Sequence, residues 1–495
     1  MIRNLLMTKP VEPAPHVDAG EPVEGSLEGE ATLKRTLTAR HLVLLGVGAV
    51  IGAGIFVLTG QAAANHAGPA IMLSFVLAGL ACAFAGLCYA EFSAMMPVSG
   101  SAYSYSYATL GEYVAWFIGW CLVLEYLFAS STVAVGWSGY LVSFLTTTLG
   151  IPFPAELATA PITWDGSDFV RTAGIINLPA VLIVAAVSGL CYVGITQSAF
   201  ANAIVVAIKV AVIAAFLGFG VQYIDPANFT PFIPANEGPG RFGMEGVFRA
   251  ATIVFFAYIG FDAVSTAAGE AKNPQRDMPI GILGSLVACT LIYIAVCAVL
   301  VGIAPYRELD TAKPVATALE LAMRADPSAN LEWLKTAVEI GAIAGLSSVI
   351  LVMLMAQPRI FYSMSRDGLL PRLFGRVHRK HQTPYVGTII VGVVACLLAG
   401  LMPLSVLGEL VSMGTLIAFA TVCLGVLVLR FTRPEIPRPF RVPFFLLICP
   451  LGVVSCLFLF MQSFVEHWVI FVLWTLLGQV IYFGYGYRHS KLRKR

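Results

Sequence analysis

The first residues that could bind a small molecule form a run of glycines near the start of the chain. Residues 46–60, GVGAVIGAGIFVLTG, hold five glycines within an apolar stretch. Glycine weakens a helix, and a bilayer offers no water to an opened backbone. Gly48 and Gly52 fit a small-residue helix-packing motif. Together with Gly54 they fit equally well an unwound segment whose free N–H and C=O groups bind a ligand, and spacing alone leaves both interpretations open.

A second group lies in a later apolar segment, FRAATIVFFAYIGFDAVSTAAGEAKNPQRDMPIGI, residues 248–282. Gly260 lies near the centre of its apolar part and is followed by Asp262. A carboxylate deep in a membrane helix is costly and usually functional. Interrupted helices at corresponding positions, here the first and the sixth, indicate a secondary transporter built from two five-helix inverted repeats.

Two more ionisable residues occur inside apolar segments, Lys209 in NAIVVAIKVAVIAAF and Glu125 in LEY. Burial penalises the charged form of a lysine, so Lys209 is a candidate for binding and releasing a proton near neutral pH. The alternative is a structural lysine bonded permanently to carbonyls of the first helix. Glu125 either recognises a cationic substrate side chain or braces the broken sixth helix and takes part in proton linkage, and we favour the second role.

The composition requires a membrane around these segments. The chain of 495 residues is 58% hydrophobic and 12% charged, with a mean hydropathy of +0.83. Since an average soluble domain is about a quarter charged, this chain cannot cover its apolar residues with a polar shell. It is therefore an integral membrane protein in contact with lipid. The net charge of +2 is too small to suggest a nucleic-acid partner.

Motif spacing excludes several chemistries. Ile51 occupies the position of the third glycine of a dinucleotide fingerprint. The sequence has neither a paired-histidine metal motif nor a serine nucleophile elbow, so we expect no enzyme activity, no metal and no cofactor. The cysteines form no CxxC pair, and we expect them to be buried packing residues rather than a disulfide framework. They are Cys82, Cys88, Cys121, Cys191, Cys289, Cys297, Cys396, Cys423, Cys449 and Cys456.

The apolar segments divide the chain into spanning helices, each needing about 20 mostly apolar residues. Residues 1–40 are polar and proline-bearing, lack the layout of a signal peptide, and are expected to form a disordered tail. Twelve segments have the required length: 41–63, 69–95, 112–145, 175–196, 198–222, 246–268, 279–303, 335–364, 384–402, 405–430, 442–464 and 467–487.

The distribution of basic residues orients these helices. If the amino terminus is cytoplasmic, the tails and inner loops hold 22 of the 30 Lys and Arg residues, and the outer loops and helix mouths hold seven. The remaining one is Lys209. This asymmetry supports twelve crossings with both termini in the cytoplasm.

Several long motifs resemble one transporter family. The chain looks like a member of the amino acid–polyamine–organocation superfamily over roughly residues 33–485, and within it like the cationic amino acid transporter family and its bacterial relatives. It departs from the family at Gly269-Glu270, where relatives commonly carry two acids, which puts an inner-gate role for both acids in doubt. The motifs are GAVIGAGIFVLTG, YAEFSAMMPVSGSAYSYSYATLGE, GWCLVLEY, FFAYIGFDAVSTAAGEAKNPQRDMPIGI and QPRIFYSMSRDGLLP.

The resemblance implies an all-α membrane protein of the LeuT type, with discontinuous helices 1 and 6. Residues 1–40 would form a cytoplasmic tail and residues 41–430 the ten-helix transport core. Residues 431–487 would add two peripheral helices, and residues 488–495 a basic cytoplasmic tail. The location implied is the inner membrane of a bacterium.

The resemblance also assigns the substrate site to backbone groups at the two breaks. The carboxylate of a free L-amino acid would meet N–H groups, because a helix amino terminus is a ready anion site. The ammonium would meet carbonyl groups on both helices. Phe256 and Tyr258 would be gates over the site, or else ordinary core residues. The N–H groups belong to Ala53, Gly54 and Ile55, and the carbonyls to Val50, Ile51, Phe256, Ala257 and Ile259.

Family members carry a lysine at the position of Lys209, where sodium-coupled relatives bind an ion. The resemblance therefore implies that Lys209 couples transport to protons, with support from Gly48, Ser347 and Ser348. Leu346 would narrow the wall of the substrate pocket, which favours small neutral substrates over long cationic ones.

The sequence thus predicts proton-coupled uptake of neutral, alanine-like amino acids by alternating access. Alternatives are transport of arginine or lysine, exchange of one amino acid for another, and a non-transporting amino acid sensor. The expected partners are free L-amino acids, protons and the lipid bilayer. Small membrane proteins or particular lipids are further candidates that the sequence does not specify.

Overall fold

The computed structural model describes residues 7–9, 37–96, 100–164, 168–194, 199–268, 271–378, 381 and 383–493, and these residues are mostly helical. Eight described helical stretches are long and apolar enough to cross a membrane, and two shorter apolar helices accompany them. Gly269 and Glu270, where the family pattern is broken, lie outside the described residues.

Fourteen of the described helices organise the molecule. They are α1 Ala39–Val50, α2 Ile71–Met95, α3 Ser101–Thr109, α4 Glu112–Val123, α5 Ala129–Ser143, α6 Leu178–Val193, α7 Ala199–Gly220, α8 Gly243–Phe255, α9 Pro274–Ile303, α10 Pro314–Ala325, α11 Glu332–Arg366, α12 Tyr385–Leu401, α13 Leu404–Thr432 and α14 Phe445–Ile481. Between α5 and α6, β1 Ile162–Trp164 pairs antiparallel with β2 Phe169–Arg171.

The first predicted interruption is present. Helix α1 ends at Val50, where Ile51 adopts an extended conformation with φ −72° and ψ 97°. The chain then resumes as a π-helical turn over Gly54–Leu58. A helix that stops inside an apolar stretch leaves backbone groups unpaired in the middle of the bundle.

The second predicted interruption is also present. Helix α8 ends at Phe255 and is followed by a 3-10 turn over Phe256–Tyr258. Ile259 is extended, with ψ 132°, and Gly260 has a φ of +117°, a conformation that favours glycine. The chain becomes helical again only over Ala263–Thr266.

The two breaks lie against each other. A Cβ on Gly54 would lie 2.2 Å from Cα of Ala257, and a Cβ on Gly260 would lie 2.9 Å from the carbonyl carbon of Ala49. Any side chain at either glycine would therefore force the two helices apart. Gly54 and Gly260 thus permit the two breaks to approach each other closely.

Helix α14 reverses direction in its middle. His467 has non-helical angles, φ −114° and ψ 22°. Before it, Sγ of Cys449 lies 3.8 Å from Sγ of Cys88 near the end of α2. After it, Trp116 near the start of α4 donates to the carbonyl of Gly478 at 3.1 Å. Because only the short helix α3 separates these parts of α2 and α4, both ends of α14 lie at the same face.

Short pieces of both terminal segments dock at that face. Within the predicted tail of residues 1–40, the Lys9 side chain pairs with Asp367 at 2.9 Å. At the other end of the chain, Arg493 donates to the buried carboxylate of Glu112 at 2.6 Å. Residues 10–36, most of the predicted tail, lie outside the described residues.

Candidate substrate site

A small cavity lies between the two helix breaks in the interior of the bundle. Its walls come from the first break, the turn after α8, and helices α5 and α11. None of the lining residues carries a charged or hydroxyl side chain, so a ligand here finds its polar partners in the backbone. They are Ala49, Val50, Gly52, Ala53, Gly54, Ala129, Val133, Phe256, Ile259, Val349 and Met353.

Half of the predicted substrate residues line this cavity. Val50, Ala53 and Gly54 do so from the first break, and Phe256 and Ile259 do so from the second. Of the two predicted gate residues, Phe256 therefore lies at the cavity. All five are nearly or fully buried, so a ligand between them would be shielded from bulk water.

Three of the other predicted residues bond or pack elsewhere. Ile55 lines a second, wholly apolar cavity. Tyr258 is buried and donates its hydroxyl to a backbone carbonyl of α2 at 2.9 Å. Leu346 is fully buried in α11, where Val349 and Met353 reach the cavity instead. The wall of α11 is thus formed one and two turns beyond the predicted position.

The first break leaves amide groups open. The hydrogen-bond ladder of α1 ends with the amide of Ile51 and resumes with that of Phe56. Among the described residues, the amides of Ala53, Gly54 and Ile55 have no backbone acceptor. These are the three N–H groups predicted to meet a carboxylate, and they lie at the start of the resumed helical segment, where an anion is stabilised.

The second break leaves a carbonyl open. The carbonyl of Ile259 accepts no hydrogen bond from the described residues, while that of Phe256 accepts only a local bond of 3.2 Å from the Ile259 amide. Both residues line the cavity. An ammonium group placed there would meet at least one unshared acceptor.

Lys209 occupies the first break from outside the cavity. Its ammonium donates to the carbonyl of Gly48 at 2.8 Å and to that of Ile51 at 2.9 Å, and the side chain is fully buried. Since an ammonium has three donors, one remains for another acceptor. The stem packs on Gly345, where a Cβ would lie 2.8 Å from Cε of the lysine.

The two serines predicted to support Lys209 bond elsewhere. The hydroxyl of Ser347 donates to the carbonyl of Ile343 at 2.7 Å and accepts from the indole of Trp137 at 2.9 Å. The hydroxyl of Ser348 donates to the carbonyl of Gly345 at 2.8 Å. Both are engaged within or beside α11.

Tyr293 joins the two breaks and was missed in the sequence. It is fully buried, and its hydroxyl lies 2.8 Å from the carbonyl oxygen of Val50 and 2.9 Å from that of Ala257. Each of these carbonyls keeps a second lone pair. The only sequence signal was a single tyrosine within the apolar helix α9.

Two buried acids, Asp262 and Glu125, lie beside the second break, after α8. Asp262 is fully buried and accepts from the hydroxyl of Tyr126 at 2.6 Å and from the amide of Gly260 at 3.3 Å. Glu125 is fully buried and faces Asp262. Glu125 is absent from the cavity wall, which favours the bracing role over direct recognition of a substrate side chain.

The remaining cavity residues follow helical spacing. Ala129 and Val133 lie one turn apart on α5, and Val349 and Met353 lie one turn apart on α11. Apolar residues four apart occur throughout a membrane helix, so this pattern could not distinguish the pocket from ordinary core.

Comparison with known proteins places this geometry in a family. The model of the amino acid permease family matches residues 37–485. The chain is 46% identical over 467 residues to the branched-chain amino acid permease BcaP of Bacillus subtilis (strain 168), covering 94% of this chain and 96% of the relative. It is also 46% identical over 463 residues to the methylthioribose transporter of the same organism, covering 94% and 96%.

A more distant relative is the vacuolar cationic amino acid transporter 2 of Arabidopsis thaliana, 41% identical over 409 residues, which covers 81% of this chain and 61% of the relative. All three relatives are named as transporters or permeases rather than enzymes. The chain belongs to the amino acid permease family, within the amino acid–polyamine–organocation superfamily.

Proposed function

We propose that the protein is a proton-coupled importer of neutral amino acids with broad specificity, working by alternating access. The observation that carries this proposal is the cavity between the two breaks, with open amides on one side and an open carbonyl on the other. An α-amino acid is a zwitterion whose two charged groups need both kinds of partner. The remaining walls are apolar, which suits an aliphatic side chain.

The residues that line the cavity indicate which substrate side chains it accepts. Ala129, Val133, Val349 and Met353 give the cavity an aliphatic wall, and two relatives are named branched-chain amino acid permeases. We infer that valine, leucine and isoleucine are carried together with alanine. A lysine or arginine side chain would bury its charge against apolar residues without a partner, which is costly.

Proton coupling is assigned to Lys209. When charged, its ammonium holds the carbonyls of Gly48 and Ile51 and completes the end of α1. When neutral, it holds them less strongly, and the first break is free to change shape. Loss of the proton on one side of the membrane and its return on the other would link the conformational cycle to the proton gradient.

We extend the proposal to the membrane topology. The stretch Ala39–Met95 turns at Gly68, whose φ is +58°, before the helix Ile71–Met95, and α14 reverses at His467. Counting each as two crossings, together with the shorter helices α6 and α12, supports twelve crossings in two five-helix repeats plus two peripheral helices. The excess of basic residues supports placing the face with the terminal segments in the cytoplasm.

Uptake into proteoliposomes tests the function. Labelled leucine, alanine and arginine are offered with and without an inward acid gradient, using the wild type, Lys209→Ala and Lys209→Arg. We expect gradient-driven accumulation of leucine and alanine, and at least about a tenfold loss of accumulation in Lys209→Ala. Leucine binding should survive in that variant, because Lys209 lies outside the cavity.

Two results would contradict the coupling role. Accumulation in Lys209→Ala equal to the wild type would make the lysine structural. Uptake that ignores pH and requires amino acid preloaded inside the vesicle would identify an exchanger.

A second candidate substrate is methylthioribose, because one relative is named for its transport and is 46% identical. A ribose ring carries several hydroxyl groups, and specific sites for such groups usually supply polar side chains. The cavity lining offers none. Competition of unlabelled methylthioribose against labelled leucine checks this, and we expect no inhibition at a concentration where isoleucine inhibits fully.

A further inference from the structure

A buried arginine lies on α8, two turns before the cavity. Arg249 is 4% exposed and precedes Phe256 by seven residues, about 10 Å along a helix. Its surroundings belong to the face that carries the β1–β2 hairpin and the turn at His467, opposite the face with the terminal segments. We call it the outer face.

The guanidinium of Arg249 joins three helices. It donates to the carboxylate of Glu409 on α13 at 2.6 Å and to that of Glu466 at the turn of α14. It also donates to the hydroxyl of Ser463 at 2.7 Å. A buried charge is tolerated only when paired and hydrogen-bonded, so these partners fix the position of α8.

Further groups close the cluster from outside. Nδ1 of His467 lies 3.1 Å from the Glu409 carboxylate. Trp164 of β1 places its ring 5.3 Å from that of His467, centroid to centroid, and its indole N–H faces Glu466 at 3.4 Å. The two acids and His467 are near enough together to ligate a metal. Arg249 already occupies both carboxylates, and its positive charge would repel a cation.

The same part of α13 covers the cavity walls. A Cβ on Gly408 would lie 3.3 Å from the side chain of Leu58, after the first break, and 3.8 Å from that of Thr132, beside Val133 of the cavity wall. Residues 408 and 409 therefore contact the first helix, α5 and α8 at once. Separation of α13 from α8 here would loosen the segments behind the cavity wall from the outer face.

We infer that Arg249 and Glu409 form the outer gate of the transport path, and that Glu466 keeps Arg249 paired while the gate is open. This inference rests on the proposed transport function. If Glu409 were the only partner of Arg249, breaking that pair would leave the arginine as a buried unpaired charge. The second acid removes that penalty, so the two glutamates act oppositely on the equilibrium between closed and open gate.

Labelling of a reporter cysteine in the cavity tests this assignment. Val133→Cys is introduced, and its reaction with a membrane-impermeant maleimide added at the outer face is measured against a matched protein without the reporter. We expect Glu409→Gln to increase the labelling rate at least about threefold, because the closed gate loses its ion pair. We expect Glu466→Gln to decrease it at least about threefold, because the open gate leaves Arg249 unpaired.

The control variant is Glu237→Gln. It removes another ion pair, Arg307–Glu237 at 2.6 Å, which is exposed, and labelling should stay at the starting rate. Shifts of the two gate variants in the same direction, or no shift in either, would overturn the inference. If Glu409→Gln does not fold, Arg249→Lys in the same assay must increase labelling, since a lysine cannot hold two acids in one plane, and an unchanged rate overturns the inference equally.

The labelling assay does not depend on transport. A protein that moves no amino acid but shows opposite effects of the two glutamates would refute the proposed function and leave the gate in place. A protein that transports leucine without those effects would refute the gate alone.

Discussion

The chain is broken at two adjoining places, after α1 and after α8, and side chains of opposite charge bind the two breaks. Lys209 binds carbonyls at the carboxyl end of α1, the negative end of a helix. Asp262 lies directly before the short helix Ala263–Thr266, and its carboxylate accepts from the amide of Gly260 at 3.3 Å and from the hydroxyl of Tyr126 at 2.6 Å. Under the proposed function, the open amides after α1 and the open carbonyl of Ile259 after α8 remain for the zwitterionic substrate.

Lys209 and Asp262 form no direct pair among the described residues, because each bonds to a different break. Lys209 completes the carboxyl end of α1, and Asp262 holds the amide of Gly260 in the second break. Under the proposed function, the substrate would bridge the two remaining ends and add to the contacts that Tyr293 and the close approach of Gly54 to Ala257 already make between the two breaks. Substitutions at the breaks should therefore lower the rate of transport more, the more strongly they disturb these contacts.

The largest effect is expected where the two breaks touch. Gly54→Ala places a Cβ against Ala257, and overpacking of a closely packed interior costs about 1–3 kcal/mol. We expect the rate of leucine uptake to fall about 10- to 100-fold at equal protein density in proteoliposomes. Gly189→Ala is the matched control, since no atom lies within 4 Å of the position that its Cβ would take. Equal uptake by the two variants would mean that the breaks separate during transport.

A smaller loss of leucine uptake is expected from a substitution of Asp262, at the second break. Asp262→Asn keeps an acceptor for Tyr126 and Gly260 but removes the charge that strengthens these hydrogen bonds, a difference of about 1 kcal/mol. Leucine uptake should fall about fivefold, with the loss visible in the maximal rate. The exposed Asp326→Asn serves as the comparison and should transport normally. A loss of uptake as large as that of Gly54→Ala would show that Asp262 does more than bind the amide of Gly260.

The smallest effect is expected at the hydroxyl that joins the breaks. Tyr293→Phe removes the one O–H that the carbonyls of Val50 and Ala257 share, and a typical hydrogen bond contributes about 1 kcal/mol net. We expect uptake to fall about threefold while the affinity for leucine, measured by isothermal titration calorimetry, stays equal or rises. Tyr113→Phe, whose hydroxyl bonds Gln479 at 3.0 Å, is the control. Weaker leucine binding in Tyr293→Phe would place the hydroxyl in the substrate site itself.

The sequence was informative where it places residues that are unfavourable in a membrane helix. Glycines and an aspartate within apolar segments are costly there, so both breaks could be predicted from Gly48 to Gly54 and from Gly260. The resemblance to a family then led to the cavity residues Val50 and Phe256.

Contacts between distant segments could not be predicted. Nothing in the pattern of α9 shows that Tyr293 faces two broken helices rather than neighbouring core. Leu346 was chosen for the pocket wall by resemblance, whereas the helix rotation that brings Val349 and Met353 to the cavity depends on packing against α5. Arg249 was counted only as an outer basic residue, because the sequence does not show that α13 and the turn of α14 each supply it with an acid.

The docking of the terminal segments has a practical consequence for handling the protein. Arg493 inserts its guanidinium beside the fully buried Glu112 and lies 3.8 Å from the centre of the Tyr487 ring. An affinity tag or fluorescent fusion attached without a spacer would pull on this anchor and expose a carboxylate that has no other cationic partner among the described residues. A flexible linker placed after Arg495 leaves the anchor in position, and a chain truncated before Arg493 should be harder to purify in a folded form.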